Sequence, residues 1–162
     1  MIDSLDLGLK GKVAIVAGGG GDLNGVGNGR AASILLAEAG AKVIVVDKNL
    51  SLANNTVNII REKGGEALGI GGDLTQANEC KKVVEFSLDN LGRLDILDNN
   101  IGIASKLSVV DETEEYWDHL MNINLKPMFL MSKYAIPAMI NSGEGGSIVN
   151  ISSISATRPK GL

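Results

Sequence analysis

Several residue types on which proteins build conspicuous chemistry are scarce in this chain. Cys80 is its one cysteine, so no internal disulfide can form, which fits a reducing compartment, here expected to be the cytoplasm. It falls in a helical stretch and reads as a buried or half-buried thiol rather than a nucleophile. His119 is the one histidine; between Asp118 and Leu120 on a helix it reads as a surface or packing residue, not a catalytic base. Positive charge is not in excess: 15 Lys and Arg against 19 Asp and Glu leave a net charge of −4. No basic surface therefore draws the chain to nucleic acid or to anionic lipid. No apolar run reaches the roughly 18 residues of a membrane span, and Met1-Ile2-Asp3-Ser4 does not open a signal peptide.

What is abundant is glycine, 21 residues in 162. The glycines gather at the ends of apolar or amphipathic segments, as punctuation of an α/β chain rather than as low-complexity sequence. Length and a hydrophobic fraction of 44% fit one globular domain over residues 1–162, with no linker or internal repeat. The organising stretch runs from Val13 to Arg30. The apolar run Val13–Ala17 reads as a buried strand, a turn dense in glycine follows, and an Ala/Leu-rich segment of helical spacing comes next. Glycines let backbone approach an anion closely, and the helix start offers free N–H groups and a positive dipole end. Asp47 closes the next apolar run, twenty positions after Gly27 (47 − 27). A dinucleotide-binding βαβ unit places its ribose-binding acid about that far along.

Strands are expected at 12–17, 42–46, 66–70, 94–97 and 147–151, with helices at about 26–39, 51–63 and from an N-cap at Thr75 to Leu91. Gly40 and Gly64-Gly65 stop the first two helices. A further segment, 114–141, starts at a Thr113 cap with Glu114 and Glu115 suited to the positive helix end. It contains Pro127 and Pro137 and should bend just before Pro127, near Asn124. Its apolar residues Met121, Leu125, Met128, Phe129 and Met131 exceed one buried stripe, as core with gap-filling methionine or as a subunit interface. Continuous Val/Ile/Leu strands alternating with helices imply a doubly wound, three-layer α/β/α fold. Its parallel sheet should have strand order 3-2-1-4-5, with the ligand crevice at the carboxyl ends of the first and fourth strands.

The motifs then line up with a known family. Gly18, Gly25 and Gly27 in the turn, Asp73-Leu74 after the third strand, and Asn99-Asn100-Ile101-Gly102 after the fourth all match in order. So do Trp117-Asp118 through Asn124, and Gly146 through Ser153. The chain resembles the short-chain dehydrogenase/reductase family over essentially its whole length. That resemblance implies hydride transfer between a nicotinamide cofactor and a small alcohol/carbonyl substrate. It implies Ser153 as the hydroxyl that orients the carbonyl and Asn124 as the support of a proton relay. Asn124 also suits satisfying backbone groups freed by Pro127, a compatible reading, and Ser152 reads as structural. The cofactor-binding residues it implies are Gly18, Asn24, Gly25, Val26, Gly27, Asp47, Lys48, Asp73, Leu74, Asn100, Ile101 and Gly102. Of Asn99 and Asn100, at least one is expected only to satisfy a buried turn. Asp47 favours NAD over NADP, whose 2′-phosphate would meet like charge; Lys48 beside it reads as a solvated lysine. Asn24 stands where phosphate-preferring members often carry a basic residue.

The chain departs from the pattern in three ways. Ala17 replaces the usual Thr, removing a hydroxyl that braces the loop. The loop from Gly18 to Gly25 is three residues longer than the commonest spacing. No Tyr-x-x-x-Lys follows Ser153, and neither Tyr116 nor Tyr134 has lysine four positions on. The chain therefore reads as an N-terminal portion of such an enzyme, not expected to catalyse alone. Its fifth strand should be a sheet edge, apolar helix faces should lie open, and the full-length enzyme should form dimers or tetramers through 114–141. Two other readings share part of the pattern. A non-catalytic dinucleotide-binding module would lack the Tyr and Lys; a nucleoside-binding methyltransferase would share the glycine turn and Asp47, but has no use for the Asn-Asn-Ile-Gly and Ile-Ser-Ser segments.

Overall fold

A computed structural model describes residues 7–21 and 25–158. Five strands, β1 (Val13–Ala17), β2 (Lys42–Asp47), β3 (Ala67–Gly71), β4 (Ile96–Asn99) and β5 (Ser147–Asn150), form one parallel sheet in the order β3-β2-β1-β4-β5. Between them run α1 (Asn28–Glu38), α2 (Leu50–Glu62), α3 (Ala77–Leu91), α4 (Glu114–Asn124) and α5 (Lys126–Asn141). A short 3₁₀ turn, Ile154–Ala156, follows β5.

Side chains alternate across a strand, and the alternation separates two cores. Val16, Val43 and Val45 pack with Ala37 of α1 and with Ala53, Val57 and Ile60 of α2. Ile15, Ala17, Ile44, Val46 and Leu97 face the other way, onto Cys80, Val83 and Val84 of α3 and Leu130, Met131 and Ala135 of α5. The central strands are covered on both faces, which is why they read as uninterrupted apolar runs. Cys80 is buried in the second core, and burial pushes its thiol up to about 11.

The end of the sheet opposite the crevice is tied by charge. Asp95 accepts from the Val13 N–H at 2.8 Å and takes Arg93 in a two-point contact at 2.8 and 2.6 Å. Glu144 joins the same group through Arg93 and Lys12.

Three expectations need correction. The fourth strand is two residues further on than 94–97, because Asp98 and Asn99, polar as they are, pair in the ladder with Val16 and Ala17. The N-cap of α3 is Gln76, not Thr75; the Thr75 hydroxyl is used by Asp73 instead, at 2.7 Å. The segment 114–141 does divide at Leu125, and Pro127 falls in the first turn of α5, where no N–H is needed. Pro137, however, lies inside α5 without ending it; it is exposed, so water can serve the carbonyl it leaves without a donor.

Among the described helices none is long and apolar enough to cross a membrane. α4 has no buried residue, and Trp117, Met121, Leu125, Phe129 and Ile140 are all exposed. β5 is one edge of the sheet and β3 the other; Val149 of β5 is 45% accessible.

Candidate active site

A cleft of about 330 Å³ opens at the carboxyl ends of β1, β2, β3 and β4. Its floor is the turn after β1. The N–H groups of Gly18 and Gly19 both donate to the Val46 carbonyl, at 2.8 and 3.0 Å, which folds the chain sharply back over β2. Gly18 has φ +84°, and a Cβ there would lie 3.1 Å from the Asn100 carbonyl. α1 starts at Asn28 with Gly27 as its N-cap and no side-chain cap, leaving its first N–H groups facing the cleft. A Cβ on Gly29 would overlap the Gly18 carbonyl, so α1 can come this close only with glycine at that position. The cleft wall here is Gly27, Asn28 and Gly29.

At the other end Asp47 closes β2. Its Oδ2 accepts from the Gly20 N–H at 3.2 Å and its Oδ1 from the Asn49 N–H at 2.9 Å, so its orientation is fixed from both sides. The Lys48 side chain is 80% accessible, solvated as expected, and is also paired. It reaches across the mouth to Asp73 Oδ2 at 2.9 Å, while Asp73 Oδ1 accepts the Thr75 hydroxyl and N–H. The Thr75 hydroxyl and then the Lys48 ammonium pull the Asp73 carboxyl down to about 2. Leu74 lies buried beneath and lines the cleft with Thr75.

The two strand-four asparagines divide their work. Asn99 is buried and donates to Asn150 Oδ1 at 2.8 Å, joining β4 to β5. Asn100 enters the cleft, its N–H on the Ala17 carbonyl at 2.9 Å and its amide on Asp98 Oδ2 at 3.2 Å. Burial pushes the Asp98 carboxyl upward, the Asn100 amide opposing it; Asp98 Oδ1 is buried without a partner.

Ile101 and Gly102 line the cleft on one side and a second hollow, of about 420 Å³, on the other. Asn124, Met121, Ser152 and Ser153 line that hollow. Asn124 is committed twice to one residue: Oδ1 accepts from the Ile103 N–H at 2.8 Å and Nδ2 donates to the Ile103 carbonyl at 3.0 Å. It braces the loop after β4 rather than the backbone freed by Pro127. Ser153 Oγ accepts from the Ser155 N–H at 3.1 Å and donates to nothing among the described residues.

Of the residues singled out from sequence, the structure brings Gly18, Gly27, Asp47, Lys48, Asp73, Leu74, Asn100, Ile101 and Gly102 to the cleft. It brings Ser153 and Asn124 to the hollow. Gly25 and Val26 do not line the cleft, and Asn24 lies outside the described residues. Asn28, Gly29, Gly21 and Thr75 line it without having been singled out. Gly29 had a signal: a glycine in a helix costs about 1 kcal/mol relative to alanine, so one in a first turn points to a neighbour that excludes Cβ.

The family profile described as "short chain dehydrogenase" matches residues 12–161. The chain belongs to the short-chain dehydrogenase/reductase family. Among curated relatives, it is 40% identical over 147 residues to an uncharacterized oxidoreductase of Thermotoga maritima, covering 91% of this chain and 55% of that one. It is 38% identical over 146 residues to a 2,5-dichloro-2,5-cyclohexadiene-1,4-diol dehydrogenase of Sphingobium indicum, covering 90% and 56%. A solved structure of a 7α-hydroxysteroid dehydrogenase, complexed with NADH and 7-oxo glycochenodeoxycholic acid, superposes with a TM-score of 0.84 at 33% identity. The match covers 95% of this chain and 57% of that one. The chain thus spans about half the length of the curated relatives it matches.

Proposed function

We propose that residues 1–162 act as one dinucleotide-binding domain of an NAD-dependent oxidoreductase that interconverts an alcohol and a carbonyl. The observation that carries this reading is the cleft itself. A glycine turn that excludes Cβ atoms and an uncapped helix start face it at one end, and a fixed carboxylate, Asp47, faces it at the other. Free N–H groups at a helix start suit a pyrophosphate. Asp47 suits ribose hydroxyls and would repel a 2′-phosphate. Asp73 and Leu74 would border the adenine, with Lys48 clasped to Asp73 and so drawn from the ribose; Asn100, Ile101 and Gly102 would border the nicotinamide end. Bound there, the nicotinamide would give or take a hydride.

In the hollow beyond, Ser153 would use its unspent O–H to hold the substrate oxygen and stabilise negative charge developing on it. Asn124, already spent on Ile103, would support the proton path by keeping that loop in place. The substrate is a small alcohol or carbonyl compound. The exposed apolar surface of α4 and α5 suits a contact between subunits, as a dimer or tetramer, and the lone buried Cys80 suits a reducing cytoplasm.

The test is a calorimetric titration with NAD⁺, NADP⁺ and S-adenosylmethionine. NAD⁺ should bind at least about tenfold more tightly than NADP⁺. Binding of S-adenosylmethionine in place of either would replace this reading with that of a methyltransferase.

A further inference from the structure

Ala17, which closes β1, has no hydroxyl, and four consecutive glycines, Gly18 to Gly21, follow it. Glycine loses more conformational freedom on ordering than any other residue. Whatever fixes these four residues therefore decides how ready the loop is for a ligand. The fixing groups lie behind the loop, on two helices.

Thr56 of α2 is fully buried and donates its hydroxyl to the Gly19 carbonyl at 3.0 Å. Arg30, in the first turn of α1, donates Nε–H to Thr56 Oγ1 at 3.1 Å. One terminal N–H goes to the Gly25 carbonyl at 3.2 Å, and another goes to the Gly20 carbonyl. The guanidinium is a planar, rigid fork, so these three contacts set one geometry together. The described peptide bonds are all trans, and in a trans unit the N–H points opposite to the carbonyl before it. Drawing the Gly20 carbonyl back toward Arg30 therefore turns the Gly21 N–H away from Arg30. Gly21 lines the cleft, and its N–H has no partner among the described residues. Drawing back the Gly19 carbonyl does the same for the Gly20 N–H, which meets Asp47 Oδ2. Arg30 thus aims a donor at one end of the cleft, and Thr56, itself held by Arg30, steadies the acid at the other.

We propose that Arg30 is a positioning residue for the glycine turn Gly18–Gly21. With the Thr56 hydroxyl it holds the carbonyls of Gly19, Gly20 and Gly25 away from the cleft, so that this turn is set for a pyrophosphate before the ligand arrives. This rests on the dinucleotide reading of the cleft. Arg30 itself touches no ligand in this scheme; it acts through the loop.

The experiment compares NAD⁺, ADP-ribose and adenosine binding to the unsubstituted protein and to the variants Arg30→Met, Arg30→Lys and Thr56→Val. Thermal unfolding is followed in parallel. Arg30→Met should weaken NAD⁺ and ADP-ribose about tenfold and adenosine less than about twofold, because only the first two carry a pyrophosphate. Thr56→Val should act in the same direction, and Arg30→Lys should recover part of the loss, because an ammonium can keep one carbonyl but not the fork. Equal weakening of all three ligands would mean general damage to the fold and overturns the proposal, as does unchanged ADP-ribose affinity in Arg30→Met. Full recovery by Arg30→Lys overturns it too, since charge alone would then suffice. An unsubstituted protein that binds none of the three ligands removes the dinucleotide reading itself, an outcome distinct from each of these.

Discussion

The two sides of this sheet are finished to different degrees. On the β1-β2-β3 side, β1 and β2 are covered on both faces. There Thr56 of α2 and Arg30 of α1 hold the Gly19 and Gly20 carbonyls, and Asp47 and Asp73 take partners from the turns beside them. On the β4-β5 side, β5 is mostly exposed, α4 buries nothing, and Ser153 faces the hollow with its proton unspent. The cleft thus has the character of a preformed site. The hollow has the character of a surface.

Substitutions on the two sides should behave differently. The largest effect is expected within α5 itself, which has one face of each kind. Met131→Ala, in the buried core, should destabilise by about 3 kcal/mol in denaturant titration. Phe129→Ala, on the exposed face, should change stability by less than about 0.5 kcal/mol and instead reduce any self-association seen by sedimentation. If the two substitutions cost the same, the faces do not differ.

Gly29→Ala comes next. Its Cβ would meet backbone rather than a movable side chain, so α1 must shift, and NAD⁺ affinity should fall about a hundredfold. Gly72→Ala, whose Cβ would have its nearest protein neighbour at 3.7 Å, is the matched control for the fold and should change stability by less than about 0.5 kcal/mol.

A smaller effect is expected at Asp98. Its carboxyl is raised by burial, so the folded state holds a proton that the unfolded state releases above about pH 4. The residue therefore costs stability as pH rises through and beyond that value, and costs nothing below it. Asp98→Asn should raise Tm by about 3 °C at pH 7, with the gain fading toward pH 4; a gain independent of pH would contradict the assignment. Asp73 behaves oppositely: held down at about 2, it stays ionised through the working range, and its contribution is lost only as pH falls toward that value. Smallest is Lys48→Ala. Its pair with Asp73 is open to water, so Tm should move by less than about 1 °C.

The sequence made the order of strands legible because buried parallel strands are apolar on both faces, and Val43–Val46 can be little else. It misled at β4, where Asp98 and Asn99 look like loop residues until they are seen to pair in the ladder with Val16 and Ala17. In the cleft, Asp47 and Asp73 were readable because strand ends are countable. The glycine turn was less so. Gly25-Val26-Gly27 has the familiar spacing, but α1 begins at Asn28, which moves the close backbone contact to Gly29. The Lys48–Asp73 pair and the Arg30–Thr56 brace join residues on different elements, and such meetings are a property of the fold rather than of local spacing.

The partition between the two cavities has a consequence of its own. It is made of Ile101 and Gly102, backed by Ile103, whose peptide groups are gripped on both sides by Asn124. A wall shared in this way cannot be pushed by an occupant of one chamber without changing the shape of the other. Linkage makes the free energy of that exchange equal in both directions. How strongly two guests feel each other is therefore set by a single party wall, and the change in affinity for one when the other is bound would measure its stiffness.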